Sequence, residues 1–253
     1  MIITKSPAEL DAMAASGELL VRVHEMIAGM VRPGVTGREL DEAAHEMIRS
    51  EGAKASFFGY SGYPAALCIS PNDMVVHGIP DDTPFRDGDL VSIDCGVTLD
   101  GWVTDAAITH AIGPVSDEAA HLAERTLASL LAAVEVCVPG NRIGDIGHAV
   151  QSVVETAGLS VVRSLVGHGV GRSMHEDPQV PNYGRPGRGA KLLEGMVIAV
   201  EPMVTTGGPD VVVGADDWAI STVDGSLAAH QEFTFAITAD GPRVLTPWHP
   251  RVA

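Results

Sequence analysis

Only three cysteines stand in the 253 residues, Cys68, Cys95 and Cys137, an odd number without CxxC spacing. That argues against a disulfide framework or a zinc knuckle and fits a reducing compartment. Basic residues are also scarce: 16 Lys and Arg against 33 Asp and Glu leave a formal net charge of -17. Nucleic acid is a poor partner for such a chain, because phosphate binding draws on clustered Lys and Arg. The one basic cluster, Arg185-Pro186-Gly187-Arg188-Gly189-Ala190-Lys191, reads as a solvated loop. No run of eighteen apolar residues occurs, and the first twenty residues are polar and acidic where a secretory peptide is basic and then apolar. A soluble, cytoplasmic protein without a membrane partner is expected. What is present in quantity is apolar material, 45% of residues, enough for a large core. The acidic excess either keeps the surface soluble or includes a carboxylate cluster that needs cations.

Helix signals come in two pairs. Ser6-Pro7-Ala8-Glu9 is a capping box that opens a helix over about residues 7–31, and Thr36-Gly37-Arg38-Glu39 opens a second over 37–50, stopped at Gly52. A third and a fourth helix are predicted over 117–137 and 143–157. His24, His45, His121 and His148 fall on these helices beside polar neighbours and are expected to be solvated. Shifting the chain by 106 aligns Pro33-Gly34 with Pro139-Gly140, Glu39-Leu40 with Asp145-Ile146, Ile48 with Val154 and Gly52 with Gly158. This predicts a duplication into α+β halves, about 1–112 and 113–253, whose seam makes a cleft within one domain spanning 1–253. A coincidence of helix grammar is the alternative.

The stretch Gly167-His168-Gly169-Val170-Gly171-Arg172-Ser173-Met174-His175-Glu176-Asp177-Pro178 carries two imidazoles seven residues apart on a glycine-rich backbone. Such glycines suit a tight bend or a close approach to a ligand, although a loop with incidental histidines would look the same. Four of the eight Phe and Tyr residues sit in Phe57-Phe58-Gly59-Tyr60-Ser61-Gly62-Tyr63-Pro64, where a pocket wall and simple packing are both open readings. Met74 to Pro80 ends a strand in a turn with His77 at its mouth. Strands 90–97 and 102–109 flank the turn signal Asp100-Gly101, so opposed residues sum to 201. Asp94 then faces Ala107 and Asp105 faces Gly96, with both carboxylates on one face. Finally, Glu201 ends the apolar strand 196–202 and Glu232 lies inside strand 229–237. Glutamate is disfavoured in strands, so both positions call for a reason.

Asp94, Asp105, His168, Glu201 and Glu232 together offer four carboxylates and one imidazole. Such a set suits Mn, Fe or Co, with Zn also possible, and its four charges balance two divalent ions. Hydrolysis is the chemistry a two-metal site supports.

These motifs, Val76-His77-Gly78-Ile79-Pro80, Ile93-Asp94 with Asp105, Gly167 to Gly171 with His175 to Pro178, Ile198 to Met203 and Gln231-Glu232, resemble those of the type I methionine aminopeptidases, from the first helix to the C-terminus. The resemblance implies the pita-bread fold, two pseudo-symmetric α+β halves with antiparallel sheet backed by helices, in its minimal bacterial form. It also implies removal of the N-terminal Met of nascent polypeptides when the second residue is small, in a monomer that can meet its substrate at the ribosome. Asp94 would hold one metal, His168 and Glu201 the other, and Asp105 and Glu232 both. Glu201 would also carry the proton, His175 would bond the scissile carbonyl oxygen, and His77 would contact the substrate backbone. Tyr60, Tyr63, Cys68, Met174 and Trp218 would surround the Met side chain. Phe57 and Met174 depart from the Cys and Phe that relatives often carry, which bears on the shape of the slot and not on the reaction. With Ile2 as second residue, this chain's own Met1 is expected to be retained.

Two rivals have discriminating features. A proline-specific aminopeptidase or dipeptidase of the same fold shares the five ligands but lacks reason for the aromatic slot. A non-catalytic binding module of this fold would have lost ligands, and all five are here. Activity is expected to fall below about pH 6, where a free histidine is protonated and ceases to bind metal.

Overall fold

In a computed structural model, residues 1–252 are described. The first half consists of α1 (Pro7–Met30), α2 (Gly37–Ser50), β1 (Lys54–Ala55), β2 (Leu67–Pro71), β3 (Met74–Val76), β4 (Leu90–Leu99) and β5 (Trp102–Ala111). The second consists of α3 (Asp117–Val136), α4 (Ile143–Thr156), β6 (Ser160–Val161), β7 (Gly167–Gly169), β8 (Glu176–Val180), β9 (Val197–Val200), β10 (Met203–Thr205), β11 (Val211–Val213), β12 (Ile220–Thr222), β13 (Ala228–His230), β14 (Phe233–Thr238) and β15 (Gly241–Val244). The helix starts follow the capping signals. Thr36 with Glu39 closes a reciprocal box, and at Ser6 the Glu9 carboxylate accepts from both the backbone amide and the hydroxyl at 2.8 Å.

All strand pairs are antiparallel. β4 is central to a four-stranded sheet with β5 on one side and β1 and β2 on the other, while β15-β14-β9-β7-β8 form a five-stranded sheet. Two three-stranded sheets, β13-β10-β6 and β11-β12-β3, complete the set. The β4–β5 register is the expected one, Asp94 opposite Ala107 and Asp105 opposite Gly96. It is fixed by the two-residue turn, with Asp100 at φ 51 and Gly101 at φ 76, the positive values that a type I′ hairpin requires.

α1 lies across the β4–β5 hairpin, and this overturns one expectation: His24 is 1% exposed, with Nε2 2.9 Å from the Ala106 carbonyl. The helix that looked half-polar is covered on that face by sheet. His45 is half-buried against the Phe58 ring and His121 lies 3.3 Å from the Ala157 carbonyl, so of the four only His148 is exposed. The apolar faces of α3 and α4 pack with Phe233, Phe235 and Ile198 in one core, while α1 and α2 close another over β2 and β4.

The two halves are tied at the centre. Thr234 Oγ1 accepts from the Asp105 amide at 2.9 Å and donates to the Asp105 carbonyl at 2.8 Å, and the Glu232 amide donates to the Ala107 carbonyl at 2.9 Å. No helix among the described residues is long and apolar enough to cross a membrane.

Candidate active site

The strands around Glu201 and Glu232 differ from the continuous strands expected. β9 pairs with β14 as far as Val200 opposite Phe233, and pairing resumes between β10 and β13 at Met203 opposite His230. Both glutamates lie in the gap between. Pro202 supplies a physical reason, since it has no N–H with which to continue the ladder. From the gap both glutamates reach the same cavity.

The glycine run also has a different cause from a bend. Gly167 to Gly169 are the extended strand β7, buried between β8 and β9. A Cβ on Gly169 would lie 2.2 Å from the Asp177 carbonyl oxygen, so close strand approach excludes any side chain.

These elements converge on one cavity of about 140 Å³, lined by Phe57, Tyr60, Tyr63, Cys68, His77, Asp94, Asp105, His168, Met174, His175, Glu201, Trp218 and Glu232. Every site residue singled out in the sequence therefore lies on it. Asp105, His168 and Glu232 each bring a ligand atom within 4.8 Å of the others. His168 Nε2 lies 3.8 Å from Asp105 Oδ2 and 3.7 Å from Glu201 Oε1. Asp94 stands beside Asp105, close enough for their carboxyl groups to hydrogen-bond.

Burial raises all four carboxyls above their ordinary range. It pushes Asp94 up to about 7 despite the hydrogen bond from Asp105. For Asp105 the charges of Asp94 and Glu201 add to burial, for Glu201 that of Asp94, and for Glu232 that of Asp105 above all. Burial also lowers His168 to about 4, with the neighbouring His175 adding to it. His168 is thus held neutral at pH 7, with a nitrogen lone pair to offer a cation.

The donor set fits a divalent cation. Asp94 Oδ1, Asp105 Oδ1 and Glu232 Oε1 are buried without a hydrogen-bond partner. His168 places Nδ1 2.8 Å from the Gly169 carbonyl oxygen. A carbonyl only accepts, so Nδ1 carries the proton and the Nε2 lone pair faces two carboxylates. At 3.7–3.8 Å neither carboxyl is close enough to share a proton with that lone pair, so a cation between them is the fitting partner, and hard oxygen donors with one imidazole are the ligands such an ion takes.

Opposite the acids the wall is apolar. The buried Tyr63 ring meets Trp218 edge-on at 5.0 Å between centroids, and its hydroxyl bonds the Leu67 and Gly78 carbonyls. Burial, then the charge of Asp94, raises the Cys68 thiol well above its ordinary value, so it is a small soft wall and not a nucleophile. Phe57 and Met174 approach Gly96, where a Cβ would lie 3.0 Å from the Phe57 ring. Phe58 takes no part in this wall: it is 56% exposed. His77 holds φ 62, a left-handed conformation that costs a non-glycine residue about 1 kcal/mol or more and marks the site rim as strained. Burial lowers His77 and His175 below the free imidazole value, so both are neutral at pH 7.

One neighbour is not singled out by the sequence. His230 Nε2 lies 3.7 Å from Glu201 Oε2, 2% exposed and without a hydrogen-bond partner. Its only signal is the i, i+2 relation to Glu232, and an apolar strand around it gives no reason to read that as chemistry.

Residues 11–239 match metallopeptidase family M24. The methionine aminopeptidase of Clostridium perfringens is 49% identical over 97% of this chain and 99% of its own length. Methionine aminopeptidase 1 of Mycobacterium tuberculosis is likewise 49% identical, over 96% of this chain and 94% of its own. The crystal structure of methionine aminopeptidase from Rickettsia prowazekii superposes with a TM-score of 0.96 at 39% identity, covering 97% of this chain and 100% of that one. Fold, site and near-complete overlap agree: the chain belongs to the methionine aminopeptidases of metallopeptidase family M24.

Proposed function

We propose that this protein removes the N-terminal methionine from newly made polypeptides whose second residue is small, by metal-dependent hydrolysis in a single catalytic domain built from both halves. One observation carries the reading: the acidic cluster with its one imidazole and a slot lined by Tyr63, Cys68 and Trp218 share one cavity. Two divalent ions would balance the four carboxylates, Asp94 holding one, His168 and Glu201 the other, and Asp105 and Glu232 both. Bound there, the metal supplies Lewis-acid polarisation and a water acidic enough to attack at neutral pH.

The side chains do the remaining work. Glu201 accepts the proton of the attacking water and returns it to the leaving nitrogen, so the peptide bond breaks without a free amide anion. His175 donates a hydrogen bond to the scissile carbonyl oxygen as negative charge grows on it. His77 holds the substrate backbone beyond that bond. The free amino group of the substrate lies toward Asp94, which restricts the reaction to N-termini. Tyr60, Tyr63, Cys68, Met174 and Trp218 receive the unbranched thioether, with sulfur-aromatic contact favouring Met over Leu or Val. The setting is the cytoplasm, where a monomer meets chains emerging from the ribosome.

The test is release of free Met from Met-Gly-Met-Met by metal-loaded protein, with an X-Pro peptide in parallel. Expected is hydrolysis of the first and little of the second. Preference for the X-Pro peptide would replace this reading with the proline-specific one, and absence of both activities with a binding module.

A further inference from the structure

Tyr60 and Tyr63 lie three residues apart on one loop and face one cavity, yet their hydroxyls are used differently. That of Tyr63 is buried and spent on the Leu67 and Gly78 carbonyls. That of Tyr60 lies 2.7 Å from Nδ1 of His175, with the rings 5.3 Å apart. Among the described residues Tyr60 is the hydrogen-bond partner of that imidazole.

Tyr60 is 42% exposed, so core packing does not account for its position. The backbone around it is constrained instead. Gly59, Ser61 and Gly62 all have positive φ, 82, 49 and 90, and the loop is closed by the Gly59 amide on the Tyr63 carbonyl at 2.8 Å. Holding Ser61 there costs about 1 kcal/mol or more. A strained loop thus delivers a half-exposed tyrosine to one imidazole nitrogen.

The contact admits two arrangements of a neutral ring, the phenol donating to Nδ1 or an Nδ1–H donating to the phenol oxygen, and the first is favoured because a phenol O–H is the stronger donor and an imidazole nitrogen the stronger acceptor. A neutral imidazole has one N–H, and a phenol donating to Nδ1 leaves the ring proton on Nε2. In the charged ring Nδ1–H donates to the phenol oxygen and Nε2 still carries its proton. With the phenol as donor to the neutral ring, Nε2 is therefore a donor in both charge states. His168 shows the opposite arrangement, Nδ1 donating to the Gly169 carbonyl and Nε2 left as a lone pair, although the two rings are only 4.3 Å apart. A carbonyl fixes the tautomer of His168, and a donating Tyr60 hydroxyl would set the neighbouring His175 to the opposite one.

We propose that Tyr60 is a positioning residue that fixes His175 with its proton on Nε2, so that this nitrogen presents a hydrogen bond to the scissile carbonyl oxygen. This rests on the role of His175 given above. Loss of the hydroxyl frees the ring to populate the other tautomer, which offers a lone pair where a donor is needed.

The experiment uses full-length, metal-loaded Tyr60→Phe, which keeps the ring and removes one oxygen. Expected is a fall of about 10-fold in kcat on Met-Gly-Met-Met with KM within about 2-fold, since only a transition-state interaction is weakened. The ¹⁵N spectrum of His175, assigned against His175→Gln, is expected to show the Nε2–H form in the parent and a mixture in the variant. Tyr60→Phe combined with His175→Ala should lose no more activity than His175→Ala alone. An unchanged tautomer, a rise in KM alone, or additive losses would overturn the proposal in favour of a pocket wall. A fully active His175→Ala would overturn the role of His175 itself, whereas an inactive His175→Ala beside a fully active Tyr60→Phe would overturn only that of Tyr60.

Discussion

Asp94 and Asp105 project from the middle of an unbroken antiparallel ladder, whereas Glu201 and Glu232 occupy a gap where two paired strands pass from one sheet to another. The first pair is positioned by local geometry: a two-residue turn sets the register and the period of the strand does the rest. The second pair depends on distant contacts, the Pro202 break and the hydrogen bonds from Glu232 and Thr234 to β5. A carboxylate can thus reach the same cavity by ladder or by gap, and only the ladder is a local property of the sequence.

The largest expected effect follows from removing a carboxylate that either pair shares. Asp105→Asn should lower kcat/KM on the order of 10³-fold and weaken divalent-metal binding measured by calorimetry. Near-parental activity would show that the ladder pair holds no metal. Next comes the joint between the pairs. Thr234→Val preserves shape but removes two hydrogen bonds and orphans the buried Asp105 amide, an expected loss of about 2–3 kcal/mol in urea unfolding. A stability unchanged by that substitution would mean that the gap pair is held in place without the ladder.

The outer face of the hairpin gives a pH test. Burial, with the nearby His110 contributing, lowers His24 to about 4. Below pH 6.5 the unfolded chain protonates this ring while the folded chain does not, so stability is complete above 6.5 and is lost progressively down to about 4. Between pH 7 and pH 5 this amounts to about 2 kcal/mol. In His24→Gln, which keeps a donor toward Ala106, the drop between those two pH values should shrink by that amount. An identical drop would assign the acid sensitivity elsewhere. The smallest effect concerns the apolar wall that faces both pairs. Trp218→Ala should reduce the preference for Met over Leu at the first position by about 1 kcal/mol, read as the ratio of kcat/KM values. An unchanged ratio would remove Trp218 from the slot.

Much of this was legible locally. The capping boxes at Ser6 and Thr36 and the turn at Asp100-Gly101 are short-range devices, so helix starts and the Asp94–Asp105 geometry follow from spacing. His24 was not legible, because a histidine beside polar neighbours looks solvated until a hairpin 82 residues away covers it. Nor was the neighbourhood of His230, whose closeness to Glu201 exists only because the strands break together.

The sequence by itself determined the candidate donors, four carboxylates and one imidazole, the hairpin register and the aromatic loop, since each is written in residue identity and periods of a few residues. Only the tertiary structure decided that both glutamates sit in a break between sheets, which histidines are buried and which partner each imidazole nitrogen meets. Those depend on hydrogen-bond partners such as the Gly169 carbonyl and Tyr60, and an imidazole takes its tautomer from its partner, not from its place in the chain.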